Sequence, residues 1–298
     1  MNYLAFDIGG TNTKYAVVSE DGEILKKKIA PTPESYGQLL RFITNVYSEE
    51  RPSPYIGLSC PGIYDPGRNQ ITGSSALAYL IEKDIVGDIR EMLQGVDVFI
   101  ENDGNCALLG EVWKGHARGL ENAAIIVVGS AVGGGAMVNG KLLRGAFLNG
   151  GEFGYMLIDN DVERESFHSF GGKSGLNGLL AFARKNGYPA ANGVELFEMI
   201  ESDGRLAGLI QKQLLYTAIG IINLQYILDP AVIIIGGAIS RNQTYMEMLE
   251  RAIDQVMKKR ENYKVRPRIV PAGHSNDANL LGAVYVVMER TGRKIDDH

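Results

Sequence analysis

The chain has 298 residues, with 30 Lys+Arg against 35 Asp+Glu and a formal net charge of −5. With 45% hydrophobic and 22% charged residues it has the composition of a globular protein, which excludes a disordered chain. The acidic balance argues against holding nucleic acid through bulk charge, and no apolar run reaches the roughly 20 residues needed to cross a bilayer. The start, MNYLAFDIGG, lacks the basic head and long apolar stretch of a signal peptide. The two cysteines, Cys60 and Cys106, are too few for a disulfide framework, so the expected compartment is the cytoplasm. The 37 glycines exceed the usual ~7% share. The length suggests about two domains.

The first element is a buried strand over 3–8. Gly9 to Thr13 is a turn, 14–19 a second strand, Asp21-Gly22 a two-residue hairpin signal, and 23–29 a third strand. A helix over 35–48 carries Leu39, Leu40, Ile43 and Val46 on one face. A short strand over 54–59 ends in Cys60-Pro61-Gly62, and a helix is expected over 80–94. The strand at 96–100 runs straight into Glu101-Asn102-Asp103-Gly104-Asn105, with a helix over 105–114.

Near residue 120 the order begins again. A strand at 122–128 leads to a glycine turn over 129–135. A strand at 136–138, an Asn139-Gly140 turn and a strand at 141–143 follow. Strand, glycine turn, strand, Asp/Asn-Gly, strand thus occurs twice, which reads as an internal duplication. Two unrelated hairpins are the alternative. Later come a helix over 204–228 stopped by Pro230, a core strand at 231–235 followed by Gly236-Gly237, a helix over 244–259, an edge strand at 264–270 and a last helix over 277–290. Trp113 is expected in the core or an interface.

Three segments carry chemistry. In DIGGTNTK, residues 7–14, a glycine turn can aim backbone N–H groups at phosphate oxygens, and Asp7 could reach a magnesium ion through water. A plain hairpin needing positive φ fits equally well. GSAVGGG, residues 129–135, is the matching turn of the second half; two such turns facing each other would clamp a triphosphate. Asp103 follows an apolar strand, where α/β sheets present groups to a ligand. Its carboxylate suits the general base that takes a hydroxyl proton during phosphoryl transfer. It suits the cap of the following helix equally.

A Walker A loop is rejected: Gly172-Lys173-Ser174 supplies its end, but Phe167 stands where the first glycine belongs. No dinucleotide fingerprint opens either half. His116, His168, His274 and His298 have no ligand spacing with another His or Cys, and His116 and His298 read as solvated.

DIGGTNTK, SCPG, ENDGNCALLGE, the Gly129 turn, GGEFGYM, IIIGGAIS and NDANLLGAVY stand in the order seen in the ROK family of sugar kinases and repressors, which the chain resembles over nearly its whole length. That family belongs to the actin–hexokinase–Hsp70 ATPase class. The resemblance implies an α/β fold of two actin-like (ribonuclease H-like) domains with a central cleft for ATP and sugar. The expected boundaries are 1–118, closed by the helix of 277–298, and 119–276. By the same resemblance Asp103 matches the catalytic base, Asn102 and Glu152 match sugar ligands, and Asp7, Gly9, Gly10, Thr11, Asn12 and Lys14 match the first phosphate segment. Ser130, Gly133 and Gly134 match the second, although Gly-Thr-Gly is Gly129-Ser130-Ala131 here. Gly236-Gly237 matches the adenosine-side turn.

Two departures from the family's pattern matter. Its sugar- and zinc-binding His is Tyr155 here, and the stretch that follows, HSFGGKSGLNG, has no cysteine, so no structural zinc is expected. The family's second sugar-binding Glu is also missing; Asn177 or Gly178 stands near its place. In these respects the chain resembles the zinc-free β-glucoside kinases of the family. Losing groups that read the anomeric end of a monosaccharide would make room for a second ring.

The expected activity is therefore transfer of the γ-phosphoryl of ATP, with Mg²⁺, to the 6-hydroxyl of a glucose unit such as that of cellobiose. The alternatives are a glucokinase or N-acetylhexosamine kinase, and a sugar-sensing module without catalysis. A helix-turn-helix extension of the kind carried by the family's repressors has no room before Asp7. The resemblance implies a homodimer; no nucleic acid or membrane partner is expected.

Overall fold

Tyr3, Leu4, Ala5, Phe6 and Ile8 are all buried, on both faces of strand β1 (Asn2–Ile8). Only an interior strand with a layer on each side satisfies such a run. The computed structural model describes every residue except 74, 160–168, 261, 263, 275, 276 and 294–298. His168, His298 and Phe167 lie outside the described residues.

In chain order β1 is followed by β2 (Asn12–Ser19), β3 (Ile24–Pro31), α1 (Tyr36–Glu50), β4 (Tyr55–Cys60), β5 (Ile63–Asp65), β6 (Gln70–Thr72), α2 (Ile85–Met92), β7 (Asp97–Asn102) and α3 (Asp103–Lys114). Then come β8 (Ala123–Val128), β9 (Val132–Val138), β10 (Lys141–Leu142), α4 (Phe170–Ser174), α5 (Leu176–Lys185), α6 (Gly193–Ser202) and α7 (Gly204–Leu228). The last elements are β11 (Val232–Gly236), α8 (Gln243–Lys258), β12 (Ile269–Pro271) and α9 (Ala278–Arg290).

The chain divides into two compact units. The first comprises Met1–Gly119, Arg144–Gly150 and Asp277–His298; the second comprises Leu120–Leu143 and Gly151–Asn276. The first unit's sheet has the order β3-β2-β1-β4-β7, with β1 antiparallel to β2 and parallel to β4. Alternation along β1 sorts the core. Leu4, Phe6 and Ile8 pack with α1 and α2, whereas Tyr3 and Ala5 pack with Trp113 of α3 and with Leu280 and Val284 of α9. The outer strand β3 carries Lys26, Lys27 and Lys28 exposed, a charged edge that discourages further pairing.

The second unit's sheet has the order β10-β9-β8-β11-β12, with β8 antiparallel to β9 and parallel to β11. Both sheets therefore follow one scheme, a three-stranded meander whose first strand pairs in parallel with a later strand, which pairs in parallel with another. The internal duplication extends to whole sheets.

Three expected elements are corrected. The helix of 80–94 is a 3-10 turn at Ala78–Leu80 followed by α2, because Asp84 caps at Gly87 N and starts the helix afresh. The edge strand of 264–270 narrows to Ile269–Pro271; Pro267 lacks an N–H, and Arg266 is tied to Glu250 and Asp254 at 2.5 and 2.8 Å. The glycine turns are also shorter than expected. β2 already begins at Asn12 and β9 at Val132.

Helices α3 and α9 meet backbone to backbone. A Cβ on Gly282 would lie 1.8 Å from the Cys106 carbonyl oxygen, and one on Gly110 would lie 2.2 Å from that of Ala278. Gly208, exposed in α7, has nothing within 4 Å of such an atom. Gly282→Ala should therefore destabilise by at least the ~1–3 kcal/mol typical of overpacking. Gly208→Ala should stabilise by up to ~1 kcal/mol from helix propensity. Urea unfolding of both variants checks the pair; equal effects would contradict the close approach.

Candidate active site

In the first unit β1, β4 and β7 run parallel, so their C-terminal ends share one edge. The register sets Asp7 beside Ser59 and Cys60 beside Asn102. Side chains complete the link. Ser59 Oγ donates to Asp7 Oδ1 at 3.4 Å. Asn279 Nδ2, from the first turn of α9, donates to Ser59 Oγ at 3.2 Å and to the Asp103 carbonyl oxygen at 3.3 Å. One amide thus ties the Asp7 segment to the Asp103 segment. Lys14 Nζ pairs with Asp7 Oδ2 at 2.8 Å.

The turn between β1 and β2 closes through Gly9 N donating to Asn12 O at 3.1 Å, with Gly10, Thr11 and Asn12 exposed. A Cβ on Gly9 would lie 2.8 Å from that same oxygen. Close approach of the backbone is what requires glycine there.

The cap of α3 is Asn102, not Asp103. Its Oδ1 accepts from Asn105 N at 3.1 Å, and its Nδ2 donates to Gly62 O at 3.0 Å. Asp103 is the first residue of the helix, half-buried, with Oδ1 accepting from Gly104 N at 2.8 Å. Its carboxylate gains from the positive end of the helix dipole. Burial pushes the Cys60 thiol well above its ordinary pKa, and the charges of Asp103 and Asp7 push it further. Cys106 is raised the same way, chiefly by burial. Neither thiol is a nucleophile at neutral pH. Among the described residues no group of three His, Cys, Asp or Glu could hold a metal ion.

Beneath Asp103 lies Glu101, 4% exposed. Its Oε1 accepts from Asn102 N at 3.1 Å and Asn105 Nδ2 at 3.0 Å. Its Oε2 takes Arg144 at 2.7 Å and Arg290 at 3.3 Å. A carboxylate so buried needs such partners. Glu101 therefore locks the turn bearing Asp103 to Arg144, the start of the segment leading into Gly151-Glu152.

In the second unit the bend after β8 is Gly129-Ser130-Ala131, closed by Gly129 N donating to Ala131 O at 2.9 Å. Gly133 and Gly134 are not in the bend: they pair with Val127 and Ile126 inside the sheet. Gly134 is buried, and a Cβ there would meet the Phe153 ring at 2.4 Å. At Gly134 the missing side chain makes room for the Phe153 ring.

The N-terminus of α5 rests on the bend, with Leu176 N donating to Gly129 O at 2.9 Å and Asn177 N to Ser130 O at 3.1 Å. Beside it, Gly236 pairs with Val127, and a Cβ on Gly237 (φ 86°) would lie 2.2 Å from Val128 O.

Two cavities lie in this unit. One of about 450 Å³ is lined by Ser130, Glu152, Tyr155, Ser169, Asn177 and Gly178 among others. Another, about 260 Å³ and largely apolar, is lined by Leu176, Val194, Phe197, Ala238, Ile239 and Asn242. Tyr155 is 65% exposed at the end of the 3-10 turn Phe153–Tyr155. Burial raises the carboxyl pKa of Glu152 above the usual range. The structure thus brings Ser130, Glu152 and Tyr155 to one cavity and links Asp7, Lys14, Asn102 and Asp103 in the other unit. Ser59, Glu101, Arg144 and Asn279 were missed by sequence reasoning. Asn279 stood in a recognised segment, but nothing local marked Arg144.

The sequence model of the ROK family matches residues 3–290. A β-glucoside kinase of Listeria monocytogenes is 33% identical, the alignment covering 98% of this chain and 99% of that protein. A glucokinase of Thermotoga maritima is 26% identical, covering 98% and 99%. Among solved structures, a ROK family protein from Streptococcus pneumoniae in complex with sucrose superposes with a TM-score of 0.88 at 31% identity, covering 98% and 99%.

Two outcomes test this geometry. Glu152 has a raised pKa because the fold disfavours its ionised form, so the folded state binds the proton more tightly than the unfolded chain. Its stability cost is present above the folded pKa and disappears as pH falls below the ordinary Glu value of ~4.3. Glu152→Gln should thus raise the melting temperature at pH 8, with the gain vanishing near pH 4; a pH-independent shift would contradict it. In a double-mutant cycle on the 2.7 Å pair, Glu101→Gln and Arg144→Met should couple by about 0.5–3 kcal/mol. Simple additivity would show that the pair carries no energy.

Proposed function

The chain belongs to the ROK family and is a sugar kinase, and from that premise we propose that it phosphorylates the 6-hydroxyl of the glucose unit of a β-glucoside such as cellobiose, with ATP as donor. The observation that carries the reading is the 450 Å³ cavity. Its walls include Tyr155, Asn177 and Gly178, which stand where the resemblance expects groups gripping the free anomeric end of a monosaccharide. The Listeria relative named for β-glucosides and the pneumococcal neighbour holding sucrose, itself a disaccharide, support it. A glucokinase is the second reading, supported by the Thermotoga relative.

In this reading Asp103 takes the proton of the 6-hydroxyl as the γ-phosphoryl moves across. Glu152 binds sugar hydroxyls and Tyr155 borders the anomeric end. Asn102 acts through its cap, which aims the Asp103 turn, and serves as a sugar ligand. Gly9, Gly10, Thr11, Asn12 and Lys14 in one unit, and Ser130 with its bend in the other, hold the phosphates. Gly236 and Gly237 border the adenosine, with the 260 Å³ apolar cavity suited to the base.

Asp7 offers a hard carboxylate oxygen at a strand end, which fits a magnesium ion that keeps most of its waters and phosphate ligands. When bound, that ion neutralises charge on the transferring phosphoryl. Little covalent work falls to the protein, so positioning and charge stabilisation supply most of the rate. The same reading takes the enzyme to be a cytoplasmic homodimer acting on ATP and sugar, with neither nucleic acid nor membrane as partner.

Asp103→Asn keeps shape but removes the base. Turnover in a coupled ADP-release assay should fall by at least the ~10²–10⁴ expected of general base catalysis, with sugar affinity changed less than about tenfold. A near-normal rate would refute the assignment. Wild-type kcat/KM should be higher on cellobiose than on glucose; efficient use of glucose alone would favour the second reading.

A further inference from the structure

We propose that Lys173 is a positioning residue for the sugar, its ammonium group clipping together two walls of the 450 Å³ cavity. The proposal rests on the reading of that cavity as the sugar site and adds what holds it in shape.

One wall carries Glu152, Gly154 and Tyr155; another is Ser169 with Gly171 and Gly172 of α4. They meet glycine to glycine. A Cβ on Gly171 would lie only 3.2 Å from the Gly154 carbonyl oxygen, which leaves little room there for an interlocking side chain. Next to this seam Phe170 N donates to Met156 O at 2.7 Å, and Leu157 bridges Ser169. Helix α4 itself has five residues, too few to keep its direction unaided.

Lys173 supplies a further hold. Its Nζ lies 2.7 Å from Asp159 Oδ2, which continues the chain of the first wall, and 4.5 Å over the Tyr216 ring of α7. The side chains of the pair are 18% and 16% exposed. In so sheltered a place a charge pair with a ring beneath it is stronger than on open surface. The backbone is fixed as well: Gln213 Nε2 of α7 donates to the Lys173 carbonyl oxygen at 2.9 Å. One residue thus joins both walls to α7. The lysine of Gly172-Lys173-Ser174, which belongs to no Walker A loop, so gains a part in sugar binding. Without it, Glu152 and Tyr155 can shift against Ser169 and Gly172.

The readout is the full-length enzyme's KM for whichever of cellobiose and glucose the wild type uses better. Lys173→Met should raise it about tenfold, with kcat and the KM for ATP within about threefold. Lys173→Arg, which keeps the charge and can stack on the ring, should stay within about threefold of wild type. Asp159→Asn breaks the clip from the other wall and should raise the sugar KM likewise, adding little to Lys173→Met in the double variant. It also decides the matter if Lys173→Met fails to fold. A lower melting temperature with unchanged sugar KM, or a loss that Lys173→Arg shares in full, would overturn the clip. Glu152→Gln separates that failure from failure of the reading beneath it: if this variant also leaves the sugar KM unchanged, the cavity is not the sugar site and both fall.

Discussion

The contact between the backbones of α3 and α9 governs the first unit. Gly110 and Gly282 leave out the atoms that would hold these helices apart. Only at that distance does Asn279 reach both Ser59 and the carbonyl of Asp103. Ser59 in turn reaches Asp7. The carboxylate of Asp7 and the backbone of Asp103, from segments distant in sequence, are thus linked through one amide and one hydroxyl, and their spacing is set by helix packing rather than by any local turn.

The second unit solves the equivalent problem differently. Its bend at Gly129 is braced from outside by the first N–H groups of α5, which otherwise would lack partners at a helix start. The residues of that helix start line two cavities, Asn177 and Gly178 one and Leu176 the other. Ser130, Glu152 and Asn177 line one cavity, and Leu176 with Val194, Phe197 and Ile239 an apolar slot. The actin-like plan is repeated, with the strand-end carboxylates Asp7 and Asp103 in one copy and the cavities beside α5 in the other.

Buried acids mark the cost of this arrangement. Glu101 is offset by two guanidinium groups and two amide donors and organises the turn beside it. At half-buried Glu152 desolvation disfavours the ionised form.

Much was legible along the chain: the strand order of each meander, the duplicated hairpins, the long α7 ending before Pro230, and the family's segments from DIGGTNTK to NDANLLGAVY. Those features depend on periodicity and turn chemistry within a few residues, which sequence carries directly. Which glycines bend the chain and which merely admit a neighbour was not legible, because Gly134 answers to Phe153 and Gly282 to Cys106. Nor was the exchange of roles between Asn102 and Asp103, or the union of Glu101 with Arg144 and Arg290. These were decided by tertiary structure alone, since each depends on a distance between segments that only packing brings together.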